Sequence, residues 1–353
     1  MTIKSVLIGS AAAIVAVSGA KAADAIVAAE PEAVEYVRVC DAFGSGFFYL
    51  PGTETCLKIG GYARFQVDVG RDQSGTSDWD ATSRGQLEID ARSETEVGTV
   101  RGFIGLRGDS DHDDDKSITL HQAFIEAGGF RAGKFLSWWD DGLSGETDNL
   151  ATYANFNSIR YNFDIGTYNI GVSVDELEDI NKRFWKVENG VLVNPTGNSV
   201  GISATTGFNI GGFAGNLLGG YDVEAEEGSV RAILTGDFGV GKAGLAAVWS
   251  SGVNAYFAES EWTVAAEYAI RATDKLTITP AGQYFWNTAY SDKVNGQTNY
   301  LVGDFSKGEK WVAGVTASYD WTAGLSSLAT VNYEKVKGGD DQVKGFVRLQ
   351  RSF

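Results

Sequence analysis

Val343-Lys-Gly-Phe-Val-Arg-Leu-Gln-Arg-Ser-Phe353 alternates apolar and polar side chains and stops on an aromatic residue. Val343, Val347, Leu349 and Phe353 share one parity, with Gly345 between them, while Lys344, Arg348, Gln350 and Ser352 share the other. A period of two marks a strand, because successive side chains point to opposite faces. The two faces here suit different solvents: one is mostly apolar, the other carries fixed positive charge. The end of a soluble domain tends to fray. In a closed membrane barrel, by contrast, the last strand must pair with the first. The stretch therefore predicts the closing strand of an all-β transmembrane barrel.

Residues 1–22 read as a cleaved secretory signal. Lys4 supplies the positive start, residues 6–17 an apolar stretch, and Ala20-Lys21-Ala22 a small-residue cleavage site. The apolar run is short for a membrane anchor and is diluted by Gly9, Ser10 and Ser18. Losing Lys4 and Lys21 takes the formal charge from −17 to −19. No other apolar run has helix-spanning length, so helical spans are excluded. A strand barrel leaves no such run, since only every second residue faces lipid.

Composition fits an exported β protein. The 9 Trp, 14 Tyr and 19 Phe against only 4 Pro are what long paired strands require. The acidic balance argues against a nucleic-acid partner, which needs clustered Lys and Arg. No linker of low complexity divides residues 57–353, so one large unit is expected there. Cys40 and Cys56 are the only cysteines. An isolated even pair in an exported chain points to a disulfide, closing a loop worth about 3 kcal/mol in the chain-entropy model. Metal binding is a poor rival, because neither His112 nor His121 lies near and no four-ligand set exists. Residues 23–56, with Glu30, Glu32 and Glu35 ahead of the cysteine loop, read as a periplasmic lid or an anchoring clip.

The period of two recurs upstream. In 57–69, Leu57, Ile59, Ala63, Phe65, Val67 and Val69 oppose Lys58, Tyr62, Arg64, Gln66 and Asp68. Similar segments lie at about 82–92, 97–107, 117–127, 129–135, 158–164, 167–175 and 199–207. Others lie at 210–222, 229–238, 241–250, 260–271, 275–287, 309–320, 325–337 and 342–353, which makes sixteen. Links after odd segments tend to be long and polar (70–81, 108–116, 136–157, 176–198, 223–228, 251–259, 288–308), with only the last, about 338–341, brief; links after even ones are turn-like. Long loops at one end and tight turns at the other define an antiparallel up-and-down barrel. Sixteen strands enclose a water-filled lumen rather than a packed core. Inward faces should then be polar, as Arg84, Gln86, Glu88, Asp90 and Arg92 are on one parity of the second segment. Trp249, Trp262, Trp286, Trp311, Trp321 and Tyr319 sit near segment ends, where interface belts form.

The run Glu35-Tyr-Val-Arg-Val-Cys-Asp-Ala-Phe-Gly-Ser-Gly-Phe-Phe-Tyr-Leu-Pro-Gly-Thr-Glu-Thr-Cys-Leu-Lys-Ile-Gly-Gly-Tyr-Ala-Arg-Phe65 resembles the lead-in motif of the alphaproteobacterial (rhizobial-type) outer-membrane porins. The likeness weakens in loops but extends to the terminal Arg-Leu-Gln-Arg-Ser-Phe353. It implies a homotrimer of sixteen-stranded barrels in the outer membrane, passing small hydrophilic solutes passively, with no cofactor. It further implies that the third long loop, residues 136–157, folds into the lumen and sets the constriction. Asp140, Asp141, Glu146 and Asp148 then stand beside the opening, facing the inward Arg64, Arg84, Arg101, Arg131, Arg160 and Arg348. Such a field orders water and biases ion passage; with the acidic mature charge, weak cation preference is expected. Phe353 is expected to close the barrel and to mark the chain for the barrel-assembly machinery. Arg351, two residues earlier, departs from the apolar parity and can snorkel to headgroups.

The run Asp109-Ser-Asp-His-Asp-Asp-Asp-Lys116 lacks the glycine and glutamate of an EF-hand and reads as a solvated external loop, open to bridging through divalent ions to lipopolysaccharide. No catalytic spacing, P-loop or dinucleotide fingerprint appears. A substrate-selective channel and a surface adhesin or receptor barrel remain as rivals to a general pore.

Overall fold

The computed structural model describes residues 38–353, apart from 72, 74–76, 111–116, 182, 195–198, 295–296 and 304. The expected secretory signal, the segment up to residue 37 and most of the acidic run lie outside the described residues. Among those described, sixteen long strands follow one another: β1 Cys56–Val69, β2 Trp79–Thr95, β3 Gly98–Ser110, β4 Thr119–Ala127, β5 Phe130–Leu136, β6 Asn155–Ile165, β7 Tyr168–Glu176 and β8 Val200–Ile210. The second half comprises β9 Phe213–Asp222, β10 Glu227–Phe238, β11 Gly241–Ser250, β12 Ser260–Arg271, β13 Leu276–Thr288, β14 Glu309–Thr322, β15 Leu325–Val336 and β16 Asp341–Ser352. Each pairs antiparallel with its sequence neighbours, and β16 pairs back onto β1 from Tyr62↔Ser352 to Val69↔Gly345. Phe353 completes the seam: its N–H donates to the Gly61 carbonyl at 3.1 Å and its carbonyl accepts from Gly61 N–H at 3.2 Å.

Every expected strand is present. Several run longer than the alternation predicts, β2 most of all, because backbone pairing continues beyond the band where one face must be apolar. The tight ends use glycine where chirality demands it. Gly128 and Gly129 link β4 to β5 with φ of 54° and 86°, the positive values that a two-residue hairpin with the right twist requires.

The two faces separate cleanly. On β16, Val343, Val347, Leu349 and Phe353 are exposed on the outside, while Lys344, Phe346, Arg348 and Gln350 are half-buried inside. On β6 and β7, Ile159, Tyr161, Phe163, Ile170, Val172 and Val174 form an exposed apolar outer surface. Trp249, Trp262 and Trp286 are register neighbours on β11, β12 and β13, an aromatic row at the long-loop end. Arg351 points outward, but its Nη1 donates to the Ala323 carbonyl at 2.5 Å. It clamps the β14–β15 turn.

Residues 40–56 form a small clip at the start of β1. Cys40 and Cys56 are disulfide-bonded and buried with Phe47, and Phe48–Tyr49 pairs with the first residues of β1. Arg92 of β2 stacks over Phe47 at 5.0 Å and Lys58 approaches the same ring at 5.8 Å. The clip therefore rests on inward-facing wall residues.

Candidate functional site

Residues 137–154, between β5 and β6, do not leave the barrel. They open with a turn at Trp138–Asp140, where the Ser137 hydroxyl accepts from Trp139 N–H at 3.2 Å. The fully buried Arg231, on the inward parity of β10, donates to the carbonyls of Trp138 and Trp139 at 2.5 and 2.9 Å. Further along, Ser144 and Gly145 N–H groups donate to the Glu267 carboxylate of β12 at 2.7 and 2.8 Å. Glu146 N–H donates to Thr316 of β14, and Asn332 of β15 donates to the Glu146 carbonyl. Asn149 exchanges two hydrogen bonds with Gln283 of β13, at 2.7 and 2.8 Å. Arg231, Glu267, Gln283, Thr316 and Asn332 all point inward, so the loop crosses the lumen and is latched to the far wall.

A second loop folds in beside it. Val253, Asn254, Ala255, Tyr256, Phe257 and Ala258, between β11 and β12, are completely buried. The Asn254 amide oxygen accepts from the Tyr256 and Phe257 N–H groups, curling the loop on itself. The Tyr256 ring stacks on Trp139 at 5.4 Å, and its hydroxyl donates to Asp175 at 2.7 Å. Asp175 also accepts from Ser158, Ser173 and Ser203, so this buried carboxylate is held by four hydroxyls. Gly201 and Gly220 leave the space that Tyr256 fills; a Cβ at either would fall against its ring. Above, Phe184–Glu188 and Val191–Val193 form a hairpin through Asn189 and Gly190, and Phe184–Glu188 pairs with Gln297–Leu301. Phe184 and Tyr300 join the same apolar cluster as Trp139, Leu150 and Tyr256. The β7–β13 half of the lumen is thus covered. The 137–154 loop also covers Arg160 on β6 and reaches Thr316 and Asn332 on β14 and β15. The opening beside it runs along β1–β5 and β16.

A sequence profile of the porin subfamily matches residues 24–348. The chain belongs to this porin family. Its relatives include outer membrane protein IIIA of Rhizobium leguminosarum bv. viciae, 44% identical over 98% of this chain and 93% of that protein. Porin Omp2b of Brucella neotomae is 32% identical over the full length of both. Among solved structures, a Rh. blastica porin superposes with a TM-score of 0.59 at 15% identity, covering 84% of this chain and all of that one. The DcaP channel of Acinetobacter baumannii gives 0.63 at 14% identity over 86% and 99%. This porin is a channel protein of the outer membrane.

The predicted site residues divide three ways. Arg84, Arg101 and Arg131 lie on the wet wall but pair with wall carboxylates: Arg84 with Asp109, Arg101 with Asp90, and Arg131 with Glu126. Their guanidinium faces rest on rings, Arg101 on Phe103 and Phe124, Arg131 on Phe124 and Phe135. Arg64 and Arg348 line the seam, and Arg348 reaches the loop, its Nη1 donating to Glu146 at 3.3 Å. Arg160 is only 4% exposed, sandwiched under Trp138 at 3.9 Å and Phe135 at 4.6 Å. Burial against the loop removes it from the opening and gives it a packing position.

Among the loop acids, Asp140 and Asp141 are exposed to the lumen, and burial of part of each carboxyl raises both above the ordinary carboxylate range. Asp148 is more enclosed; its Oδ2 accepts from Leu143 N–H at 3.4 Å, and burial pushes its pKa up to about 6. Sequence reasoning missed Glu267, Gln283, Arg231 and the loop at 251–259. One signal was available: Ala255-Tyr-Phe-Ala258 is an apolar run where an external loop should be polar.

Proposed function

We propose that this porin is a general-diffusion pore for small hydrophilic solutes and ions, with weak cation preference. The observation carrying the reading is the latched 137–154 loop, whose exposed Asp140 and Asp141 stand in the lumen across from the arginine-bearing wall of β1–β6. Carboxylates on one side and guanidiniums on the other set up a transverse field, which low-dielectric walls strengthen. Many of the wall arginines are neutralised locally by Asp90, Asp109 and Glu126, whereas Asp140 and Asp141 make no ion pair among the described residues. Those two free carboxylates on the loop, with the acidic mature chain, are the support for a cation preference, set against the amide-held Arg64 and Arg107 on the wall. Assembly as a homotrimer in contact with lipid and lipopolysaccharide, after delivery through the barrel-assembly machinery, belongs to the same reading. Its support is family membership, the outer aromatic row and the paired Phe353. Reversal potential under a KCl gradient in a planar bilayer tests the selectivity: cation preference is expected, diminished in Asp140→Asn/Asp141→Asn, and anion preference in the parent sinks it.

A further inference from the structure

We propose that the seam closing the barrel carries a binding site for small oxyanions, phosphate-like or carboxylated solutes that occupy the pore saturably. The proposal rests on the channel reading and names a solute class for it.

The seam is chemically unusual. In the β1–β16 register, Arg64 lies opposite Gln350 and Gln66 opposite Arg348, and all four point inward. Arg64 Nε donates to Gln350 Oε1 at 2.8 Å, and Arg348 Nε donates to Gln66 Oε1 at 2.7 Å. A guanidinium has five N–H donors in a rigid fork. Spending Nε on a neutral amide fixes the fork while leaving its charge and most of its terminal donors. Arg107 is held in the same way by the Gln86 oxygen, at 3.0 and 2.8 Å. The contrast lies farther along the wall, where Arg92 and Arg101 share Asp90 and Arg131 pairs with Glu126, so that carboxylates offset most of their charge.

Arg84 of β2 stands directly opposite Arg64 in the register. Like charges facing each other across a strand pair are destabilising; Asp109 offsets part of that repulsion through Arg84, and a bound anion would relieve the rest. Arg64, Arg84 and Arg348 bound a polar pocket of about 280 Å³, which Gln66, Asp68, Thr82 and Asp109 complete. Asp109 is engaged by Arg84, which gives it two hydrogen bonds, whereas Asp68 receives two from the neutral Gln66 amide, which turns its oxygens toward that amide but leaves its charge in the lining. The pocket is smaller than those that hold drug-sized ligands. Paired N–H groups match the two-oxygen edge of phosphate or carboxylate better than a halide. Glu146 of the lumen loop already places a carboxylate oxygen on Arg348. An incoming oxyanion competes for that edge.

The test uses the folded full-length protein in planar bilayers at constant ionic strength, with inorganic phosphate replacing chloride, and titration calorimetry of phosphate onto the same protein in detergent. A saturable partial block and a matching calorimetric midpoint are expected. Gln66→Glu and Gln350→Glu keep every arginine but cancel its charge, and should each raise the half-blocking concentration by about tenfold, the factor equal to about 1.4 kcal/mol. Glu146→Gln should lower it severalfold; backbone hydrogen bonds to Thr316 and Asn332 keep that loop in place. Identical currents in phosphate and chloride with no heat of binding overturn the site, as does a block that all three variants leave unchanged. Calorimetric binding without conductance steps keeps the site and sinks the channel reading instead.

Discussion

The wall of β1–β6 and the wall of β7–β11 belong to one sheet with one pleat, yet their inward faces have opposite character. Inward positions on β2 carry Arg84, Gln86, Glu88, Asp90 and Arg92; those on β8 carry Gly201, Ser203, Thr205 and Gly207. Gly171, Gly220 and Gly244 extend the small-residue face across β7, β9 and β11, where Trp138, Tyr256 and Leu143 press against them. Long charged side chains keep one half wet, because burying them without partners is costly. Mostly short side chains on the other half leave room for loops to pack as they would in a soluble core, and its buried charges, Arg231 and Asp175, are engaged in hydrogen bonds to those loops. A lumen of this size is therefore not one environment. Its inward residue sizes say which part is pore and which part is filling.

The largest test of that division is Tyr256→Ala. It removes a fully buried ring and one of the four hydroxyls on Asp175. A loss of about 3–5 kcal/mol is expected from the cavity alone, read from urea unfolding of the folded protein in lipid. Open-channel conductance should also rise as the 251–259 loop loosens its grip on Trp139. A loss below 1 kcal/mol would mean that this half is not a packed core. Next in size is a pair of glycine substitutions. Gly220→Leu drives a side chain into Tyr256 and should cost about 1–3 kcal/mol. Gly85→Leu on the outer face of β2, where nothing lies within 4 Å of an added Cβ, should stay within about 0.5 kcal/mol. Equal costs at the two positions would remove the distinction between a covered and an open surface.

The strands were legible because lipid outside and water inside impose a period of two that needs no knowledge of partners. Leu57 to Phe353 shows this sixteen times over, and the parity of the loops orients it. The latch of the lumen loop was not legible. Glu267 and Gln283 are ordinary inward polar residues in sequence, and only the barrel's curvature brings them to Ser144 and Asn149, more than a hundred positions earlier. Arg160 was misleading for a related reason: its parity is inward, as expected, but Trp138 covers it. The hairpin around Asn189-Gly190 could have been found. An Asn-Gly pair between Phe184-Trp-Lys-Val-Glu188 and Val191-Leu-Val193 is a strong short-range turn signal, and both residues adopt the positive φ it demands, 51° and 78°.

The smallest expected effect concerns the boundary between the two halves, where Asp148 sits. Its carboxyl is raised to about 6 chiefly by burial, with Glu267 and Glu146 adding repulsion, against a backbone N–H from Leu143 that favours the charged form. An unfolded carboxyl titrates near 4. The folded chain therefore binds this proton more tightly than the unfolded one. The associated stability is fully present below about pH 4 and is lost as pH rises through about 6. Function moves the other way. About a tenth of the groups are ionised at pH 5 and about nine tenths at pH 7, so negative charge beside the opening grows across that window. The ratio of cation to anion permeability should rise modestly from pH 5 to 7, measured as reversal potential. Asp148→Asn should flatten most of the rise and hold the ratio near its low-pH value. A parent channel whose selectivity is flat between pH 5 and 7 would place Asp148 in the filling, electrically remote from the ions, and would move the boundary between the halves to the wet side of residue 148.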